Sequence, residues 1–221
     1  MDTATAATTV AVVGPGVREE RTVVDGRRHA ETIAPLLHEV LDGRIDLVAC
    51  GVGPGPFTGL RVGIATALAF GAARGVPVIG VCSLDVIARA AVRKRAEPVT
   101  VLTRARRAEL CWASYDAAGI RTAGPMIHRE PLEIDGLCVG DAVGTLMYPA
   151  AIDLADLVLD RLAEGEELPT DLDLPEEDAA ASGASVAEIL GARLAGGSHL
   201  LPPRPIYLRR PDAVVPAQVT P

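Results

Sequence analysis

The sequence contains no apolar run long enough to cross a membrane. Its most apolar stretch, Val62 to Ala73, contains glycines and is shorter than the roughly 18 residues that a spanning helix needs. The N-terminal residues also lack the basic segment, apolar region and cleavage site of a secretory signal peptide. We therefore expect no membrane association and predict a cytoplasmic protein.

Signatures of metal and nucleophile chemistry are also missing. There is no CxxC pair, no HExxH motif and no pair of histidines three or four residues apart, so the sequence predicts no metal site. No nucleophile stands beside a histidine–acid pair, and we predict no catalytic residue. The four cysteines fall in or beside apolar runs and are interpreted as small buried side chains: Cys50, Cys82, Cys111 and Cys138.

Charge is distributed unevenly along the 221 residues, which carry a formal net charge of −8. Residues 1–110 hold 14 basic and 11 acidic side chains, whereas residues 111–221 hold 7 basic and 18 acidic ones. A strongly acidic half repels phosphate, so direct binding to nucleic acid is not expected. The small basic island between Arg93 and Arg107 is explained more simply by a solvated turn than by an RNA contact.

The order of the predicted elements is typical of an α/β fold. It repeats roughly, strands first and then alternating helix and strand, which predicts two lobes at residues 1–96 and 97–221. The second lobe contains an acidic loop at 164–182 and a proline-rich tail. The sequence predicts strands at 8–13, 17–24, 45–52, 76–82, 99–103, 109–115, 120–127 and 137–139, and helices at 33–41, 58–74, 84–94, 152–162 and 185–194.

The most specific stretch is a glycine-rich turn between a predicted buried strand and a helix, Gly53-Pro54-Gly55-Pro56-Phe57-Thr58-Gly59-Leu60-Arg61. Turns at this place often hold phosphates. Here the two prolines lack N–H donors and the Gly-Lys-Ser/Thr of a P-loop is missing. We therefore interpret the stretch as a rigid turn that fixes the angle of the helix.

The helix after this turn carries a row of small residues spaced four apart, which lets another helix approach closely. Close packing of the helix on the chain's own sheet explains the row equally well, and the sequence leaves the two interpretations open. Each glycine weakens a helix by up to about 1 kcal/mol, so close packing of one kind has to offset that cost. The row consists of Gly59, Gly63, Ala67 and Gly71.

Two short polar motifs also have two interpretations. Asp2-Thr3-Ala4-Thr5 can orient a phosphate or a metal-bound water, which makes Asp2 and Thr3 candidate cofactor ligands, and a plain turn explains the motif equally well. His29 and Glu31 are two residues apart and do not face each other on a helix. A helix start is therefore preferred for this pair over a shared catalytic site.

Together these motifs resemble the TsaB (YeaZ) family, whose members are paralogues of the catalytic subunit TsaD within the actin-like/sugar-kinase (ASKHA) superfamily. The resemblance extends over most of residues 2–163 and the tail, and leaves out the loop at 164–182. It is carried by Asp2-Thr3-Ala4-Thr5, Arg28-His29-Ala30-Glu31, the glycine-rich turn, Ser83-Leu84-Asp85, Arg106-Arg107, Val139-Gly140-Asp141 and Tyr207-Leu208-Arg209-Arg210-Pro211-Asp212-Ala213.

The resemblance implies a two-lobed ASKHA fold with a small, degenerate second lobe. It implies a non-catalytic subunit that helps to form N6-threonylcarbamoyladenosine (t6A) at position 37 of tRNA, paired with TsaD. It further implies the ATPase TsaE in a ternary complex, a homodimer when the chain is alone, indirect contact with tRNA, and ATP or ADP near the junction with the partner. The rival interpretations are an active superfamily enzyme, either a small-molecule kinase or a metallopeptidase, and a homodimer with a separate role.

Pairing in this family uses the first two helices of the first lobe, which places the row of small residues in or beside the interface. The interface residues predicted on this basis are His29, Glu31, Gly59, Leu60, Arg61, Gly63, Ala67 and Gly71.

The resemblance also implies a strand before Asp2, where this sequence has only Met1. Loss of a central strand exposes the backbone groups of its neighbours. We therefore expect that a chain with a short apolar strand added before Asp2 is more stable.

Overall fold

A computed structural model describes residues 1–105, 109–129, 134, 136–169 and 198–208. It confirms the alternating α/β order, and the predicted helix at 185–194 lies outside the described residues, as does most of the acidic loop. The elements are β1 (Ala7–Gly14), β2 (Val17–Val24), α1 (His29–Val40), β3 (Val48–Gly51), α2 (Phe57–Arg74), β4 (Val78–Val81), α3 (Ser83–Arg95), β5 (Val99–Arg104), β6 (Glu109–Tyr115), β7 (Arg121–Arg129), β8 (Leu137–Val139) and α4 (Ala151–Ala163).

The strands form three small sheets. β1 and β2 make an antiparallel hairpin, and β3 pairs in parallel with β4, as their continuous apolar sequences predict. A four-stranded sheet follows in the order β7-β6-β5-β8, in which only the β5–β8 pair is parallel. The turn from α3 to β5 falls at the predicted lobe boundary, and the division into two lobes stays a prediction.

Met1 and Asp2 join the hairpin to the β3–β4 pair. The Met1 amine donates to the Ala49 carbonyl at 2.9 Å, and the Gly51 amide donates to the Met1 carbonyl at 2.9 Å. On the other side, the Asp2 amide donates to the Thr9 carbonyl at 2.9 Å, and the Asp2 carbonyl accepts from the Thr9 amide at 3.0 Å. These two residues therefore lie as a very short strand between β1 and β3.

Helices cover both faces of the β3–β4 pair. Val48 and Cys50 belong to the core cluster that also contains Ile33 of α1 and Ile64 of α2, whereas Ala49 packs with the cluster under α4. This alternation follows from the two-residue period of a strand. α4, predicted in the second lobe, packs against β1 and β3 of the first.

Among the described helices, none has the length and apolar character to cross a bilayer.

Residues 198–208 complete the core although they contain no helix or long strand. Leu201 exchanges two hydrogen bonds with Gly80 of β4, at 2.7 and 2.9 Å, and the Ile206 amide donates to the Val52 carbonyl at 2.8 Å. Leu201 and Ile206 are fully buried. The sequence analysis treats this region only as a proline-rich tail and misses its part in the core.

Candidate partner interface and buried polar site

Asp2 and Thr3 are enclosed in the core. The Asp2 carboxylate accepts hydrogen bonds from the Ala4 amide at 2.7 Å and the Ser83 hydroxyl at 2.6 Å, and the Thr3 hydroxyl donates to the Gly59 carbonyl at 2.8 Å. Both side chains are 1% exposed. Burial raises the pKa of the Asp2 carboxyl to about 6. Of the two interpretations of this motif, the geometry favours a structural turn over a cofactor site.

The glycines around Asp2 leave room for its carboxylate. A Cβ added at Gly51 would lie 1.7 Å from Asp2 Oδ2, so the Asp2 carboxylate would have to leave its position. Ser83 accepts from the Gly53 amide at 3.2 Å while it donates to Asp2. The Ser83 hydroxyl and the Asp2 carboxylate therefore fasten the glycine-rich turn to the start of the chain.

His29 begins α1, which confirms the helix-start interpretation of this residue. Its Nδ1 lies 2.7 Å from the hydroxyl of Thr8, and its side chain is buried. Burial lowers the pKa of His29 below its usual range. Glu31, in contrast, is exposed on the first turn of α1. The two residues therefore point to different environments, as their spacing predicts.

The row of small residues on α2 faces the chain's own core. Ala67 is completely buried, and the three glycines of the row are buried too. A Cβ added at Gly63 would lie 2.2 Å from Thr3 Oγ1, and one added at Gly71 would lie 2.2 Å from a methyl of Val78. This corrects the expectation that the row meets a partner helix, because its small side chains already serve close packing within the chain. Leu60, also predicted at the interface, is 0% exposed.

The outward side of α2 is also apolar. Leu68 keeps 44% of its surface exposed, and the alanines beside it at helical spacing are exposed as well. α1 packs next to α2 and adds small apolar residues of its own. We call this surface the α1–α2 face; it consists of Ala30, Ala34, Pro35, Ala65, Leu68, Ala69 and Ala72. Sequence reasoning missed it because a helix that is apolar on both sides shows no single stripe.

Residues 198–208, which we call the C-terminal segment, border this face at the first turn of α2. Arg61 is exposed, and its Nε donates to the Tyr207 hydroxyl at 3.0 Å. The Tyr207 ring centroid lies 4.8 Å from that of Phe57 and 5.9 Å from the Arg61 guanidinium carbon. Of the eight residues predicted at the interface, Glu31 and Arg61 are the two whose side chains are exposed.

Asp85 is the centre of a second buried polar cluster. Its carboxylate accepts from the Tyr115 hydroxyl at 2.6 Å and from Arg121 Nε at 3.1 Å, and it lies 3.4 Å from His199 Nδ1. Burial alone would raise the pKa of Asp85, but the hydrogen bonds from His199 and the Arg121 charge hold it below its usual range. The cluster thus joins α3, β6, β7 and the C-terminal segment through one ionised carboxylate.

The cysteines offer no reactive thiol in the core. Burial raises the pKa values of Cys50 and Cys111 to about 12, and the pKa of Cys82 is also raised. This confirms these three as buried side chains, whereas Cys138 is half-buried. In the part of the chain that the structure describes, no group of three or more His, Cys, Asp or Glu residues could hold a metal ion.

Sequence comparison gives one family match and several relatives. The family described as TsaD, tRNA N6-adenosine threonylcarbamoyltransferase, matches residues 23–137, slightly more than half of the chain. An uncharacterized protein of Mycobacterium tuberculosis is 45% identical over 137 residues, covering 58% of this chain and 63% of that relative. The tRNA threonylcarbamoyladenosine biosynthesis protein TsaB of Escherichia coli is 35% identical over 122 residues, covering 52% and 53%. The chain thus spans less than two-thirds of the length of either relative.

Solved structures with the same fold come from Pseudomonas aeruginosa. One, described as an uncharacterized protein with similarity to peptidase YEAZ, has a TM-score of 0.65 and 26% identity, with coverage of 79% of this chain and 95% of that one. The structure described as YeaZ has a TM-score of 0.61 and 26% identity, with coverage of 75% and 92%.

Proposed function

Since the chain belongs to the TsaD family, is TsaB/YeaZ-like and has the ASKHA-type α/β fold, we propose that it is a non-catalytic subunit that pairs with TsaD. In this role it serves the formation of t6A at position 37 of tRNA. The chain holds TsaD in an active form and does not itself carry out the transfer. Its relatives in Escherichia coli and Haemophilus influenzae are named as t6A biosynthesis proteins.

The observation that carries this proposal is the apolar α1–α2 face. A helix that is apolar on all sides is normally buried on all sides. α2 buries its inner side against Thr3 and Val78, and it leaves Leu68 and the alanines around it open to solvent. Small side chains on the outward side allow a partner helix to approach to about 8–10 Å between axes. The proposal keeps α2 as a pairing helix and moves the contact to the opposite side from the row of small residues.

The proposal is tested by placing a charge on the α1–α2 face. Leu68→Glu is expected to weaken binding to TsaD of the same organism at least about tenfold, because the interface would have to bury an unpaired carboxylate. Co-purification of co-expressed subunits and titration of the purified pair measure the loss. Leu68 is exposed, so circular dichroism and the melting temperature should stay close to those of the unchanged chain.

Met126→Glu provides the matched control. Met126 is 51% exposed on β7, away from α1 and α2, so the same charge there should leave TsaD binding unchanged. If both variants bound TsaD as tightly as the unchanged chain, the assignment of the α1–α2 face would be refuted. Equal weakening by both would show a general effect of charge instead of a local one.

We also propose that the chain has no transferase or peptidase activity alone. Two buried carboxylates of the described residues are already occupied within the chain: Asp2 accepts from Ser83 and Ala4, and Asp85 accepts from Tyr115 and Arg121. The purified, tag-free chain is therefore expected neither to form t6A nor to cleave peptides. Mass-spectrometric assay of tRNA, a peptide-cleavage assay and metal analysis test this, and stoichiometric, tightly held zinc or iron would contradict it.

We propose the remaining elements of this role on the basis of the family resemblance. The complex includes TsaE as a third subunit, contacts tRNA through TsaD, and holds ATP or ADP near the subunit junction. In the absence of TsaD, the α1–α2 face allows two copies of the chain to pair. The complex acts in the cytoplasm.

A further inference from the structure

Arg61 lies on the same outward side of α2 as Leu68. The two residues are seven positions apart, which on an α-helix is two turns less about 20° and a rise of about 10 Å. Ala65 lies between them, so the three residues follow the four-and-three spacing of a helix-pairing stripe, and all three are exposed. A partner helix that packs on Leu68 therefore also meets the Arg61 side chain, two turns closer to the start of α2.

The Arg61 side chain is held in place by Tyr207. Arg61 Nε donates to the Tyr207 hydroxyl at 3.0 Å, and the guanidinium carbon lies 5.9 Å from the centroid of the Tyr207 ring. Phe57, one turn before Arg61, packs against that ring at 4.8 Å between centroids. An exposed arginine normally loses much rotamer freedom when it binds a ligand. Here part of that loss occurs already on folding, so the guanidinium is pre-organised.

Tyr207 is itself anchored by the core. The neighbouring Ile206 is 1% exposed, and its amide donates to the Val52 carbonyl at 2.8 Å. Val52 stands directly before the glycine-rich turn that leads into α2. The C-terminal segment therefore places the Tyr207 hydroxyl relative to the same turn that sets the start of α2, and Tyr207 and Arg61 keep a fixed relation.

The guanidinium keeps most of its donors for a ligand. It has five N–H groups, of which the one on Nε bonds to Tyr207. Among the residues that the structure describes, no carboxylate lies within ion-pairing distance of Arg61. The two Nη atoms present parallel N–H groups that match the two oxygens of a carboxylate or a phosphate. The site therefore suits an anion with two oxygens side by side.

The surroundings favour a protein carboxylate over an RNA phosphate. Binding to RNA through phosphates needs several cations along one surface, and the chain has a net charge of −8. The neighbours of Arg61 along the stripe are instead apolar, Ala65 and Leu68. A protein that covers them also removes water from Arg61, and a cation that loses its hydration needs a negative partner.

We propose that Arg61 selects the partner of the α1–α2 face by pairing with a carboxylate of TsaD, and that Tyr207 is the residue that positions the guanidinium for this pair. The inference rests on the proposed pairing with TsaD and adds the chemistry that the partner presents at the first turn of α2. In this arrangement Leu68 supplies apolar contact area, and Arg61 discriminates between partners.

The test titrates purified TsaD of the same organism with charge variants of Arg61. The Kd is expected to rise about tenfold for Arg61→Ala and at least about a hundredfold for Arg61→Glu, in which like charges meet. Arg61→Lys should recover only part of the loss, because an ammonium group does not make the paired bonds. Lys94→Glu makes the same charge change at an exposed position of α3 and should leave the Kd unchanged. An unchanged Kd for Arg61→Ala would overturn the inference.

A charge exchange identifies the partner carboxylate. Surface Asp and Glu residues of TsaD are replaced one at a time by arginine, and each variant is titrated with the unchanged chain and with Arg61→Glu. One replacement is expected to weaken binding of the unchanged chain and to strengthen binding of Arg61→Glu at least about tenfold. If none of the replacements restores binding of Arg61→Glu, the ion pair is wrong.

Tyr207→Phe tests the positioning role, because it keeps the ring and removes the hydroxyl that accepts from Arg61. The Kd for TsaD is expected to rise about threefold in the chain that has Arg61 and not to rise further in Arg61→Ala. A loss of packing or of stability would instead affect both backgrounds alike. An equal rise in both would therefore show that Tyr207 does not act through Arg61.

Failure of this inference can be told apart from failure of the proposed function. If Leu68→Glu prevents TsaD binding while the Arg61 variants bind normally, the α1–α2 face is the interface and the role of Arg61 is wrong. If the unchanged chain does not bind TsaD, both proposals fail. If Arg61→Ala leaves TsaD binding unchanged and lowers the affinity of the chain alone for tRNA, measured by fluorescence anisotropy, the anion is a phosphate and the carboxylate is excluded.

Discussion

Replacing Asp85 by alanine is expected to lower the free energy of unfolding by about 3–5 kcal/mol, because the change removes the carboxylate from a buried ion pair and leaves a buried cation. The side chains of Asp85 and Arg121 are only 3% and 6% exposed. Tyr115 also loses its acceptor at 2.6 Å. Urea unfolding at neutral pH measures the loss.

Asp160→Ala is the matched control for this prediction. Asp160 pairs with Arg89 at 2.6 Å, but its side chain is 55% exposed, so the loss in the free energy of unfolding should stay below about 1 kcal/mol.

The pH dependence of stability provides a second check on the Asp85 prediction. The pKa of Asp85 is lowered by folding, so its contribution is present above the unfolded value near 4 and is lost as pH falls through the folded value. The difference between the unchanged chain and Asp85→Ala should narrow below about pH 4, and a difference independent of pH would contradict the ion-pair explanation.

Ala67→Trp is expected to destabilise the chain by about 3 kcal/mol or more, at the upper end of what overpacking costs. Ala67 is 0% exposed on the inner side of α2, in the same core cluster as Ile64 and Val78. An indole at this position has no free volume and would push α2 away from β3 and β4. Thermal and urea unfolding measure the effect.

Ala69→Trp gives the opposite combination of results. Ala69 is exposed two residues further along the same helix, so the variant should melt close to the unchanged chain while its binding to TsaD is weakened by the bulk of the indole. Normal stability of Ala67→Trp would show that the inner side of α2 is not packed as the structure describes. Normal binding by Ala69→Trp would place the partner elsewhere.

The sequence predicted the positions of the helices and strands better than the long-range contacts that bury them. Gly75, with φ of 66°, ends α2 where the sequence indicates a stop. Apolar runs identified β3 and β4, although the strands are shorter than predicted, at Val48–Gly51 and Val78–Val81. Leu201 and Ile206 were missed because their burial depends on contacts with residues more than a hundred positions away, and such contacts leave no local periodicity.

The candidate site was harder to predict, for a physical reason that α2 illustrates. The spacing of Gly63 and Ala67 indicates that another segment packs closely against the helix. Spacing alone does not show whether that segment belongs to another chain or to the chain's own Thr3 and Val78. Asp85 shows the same limit. Asp85 is in α3, and its partner Arg121 lies 36 residues further along the chain in β7. Nothing in the sequence between them indicates the contact.

The burial of residues 198–206 also bears on when the chain can fold during its synthesis. Leu201 bonds to β4, Ile206 bonds to Val52 beside the glycine-rich turn, and His199 lies against Asp85 of α3. All three contacts link the last part of the chain to elements made much earlier. N-terminal elements generally begin to fold as they emerge from the ribosome. In this protein they remain without part of their core until residues 199–206 have been synthesised, so a nascent chain halted before Leu200 is expected to expose the apolar surfaces of β3 and β4.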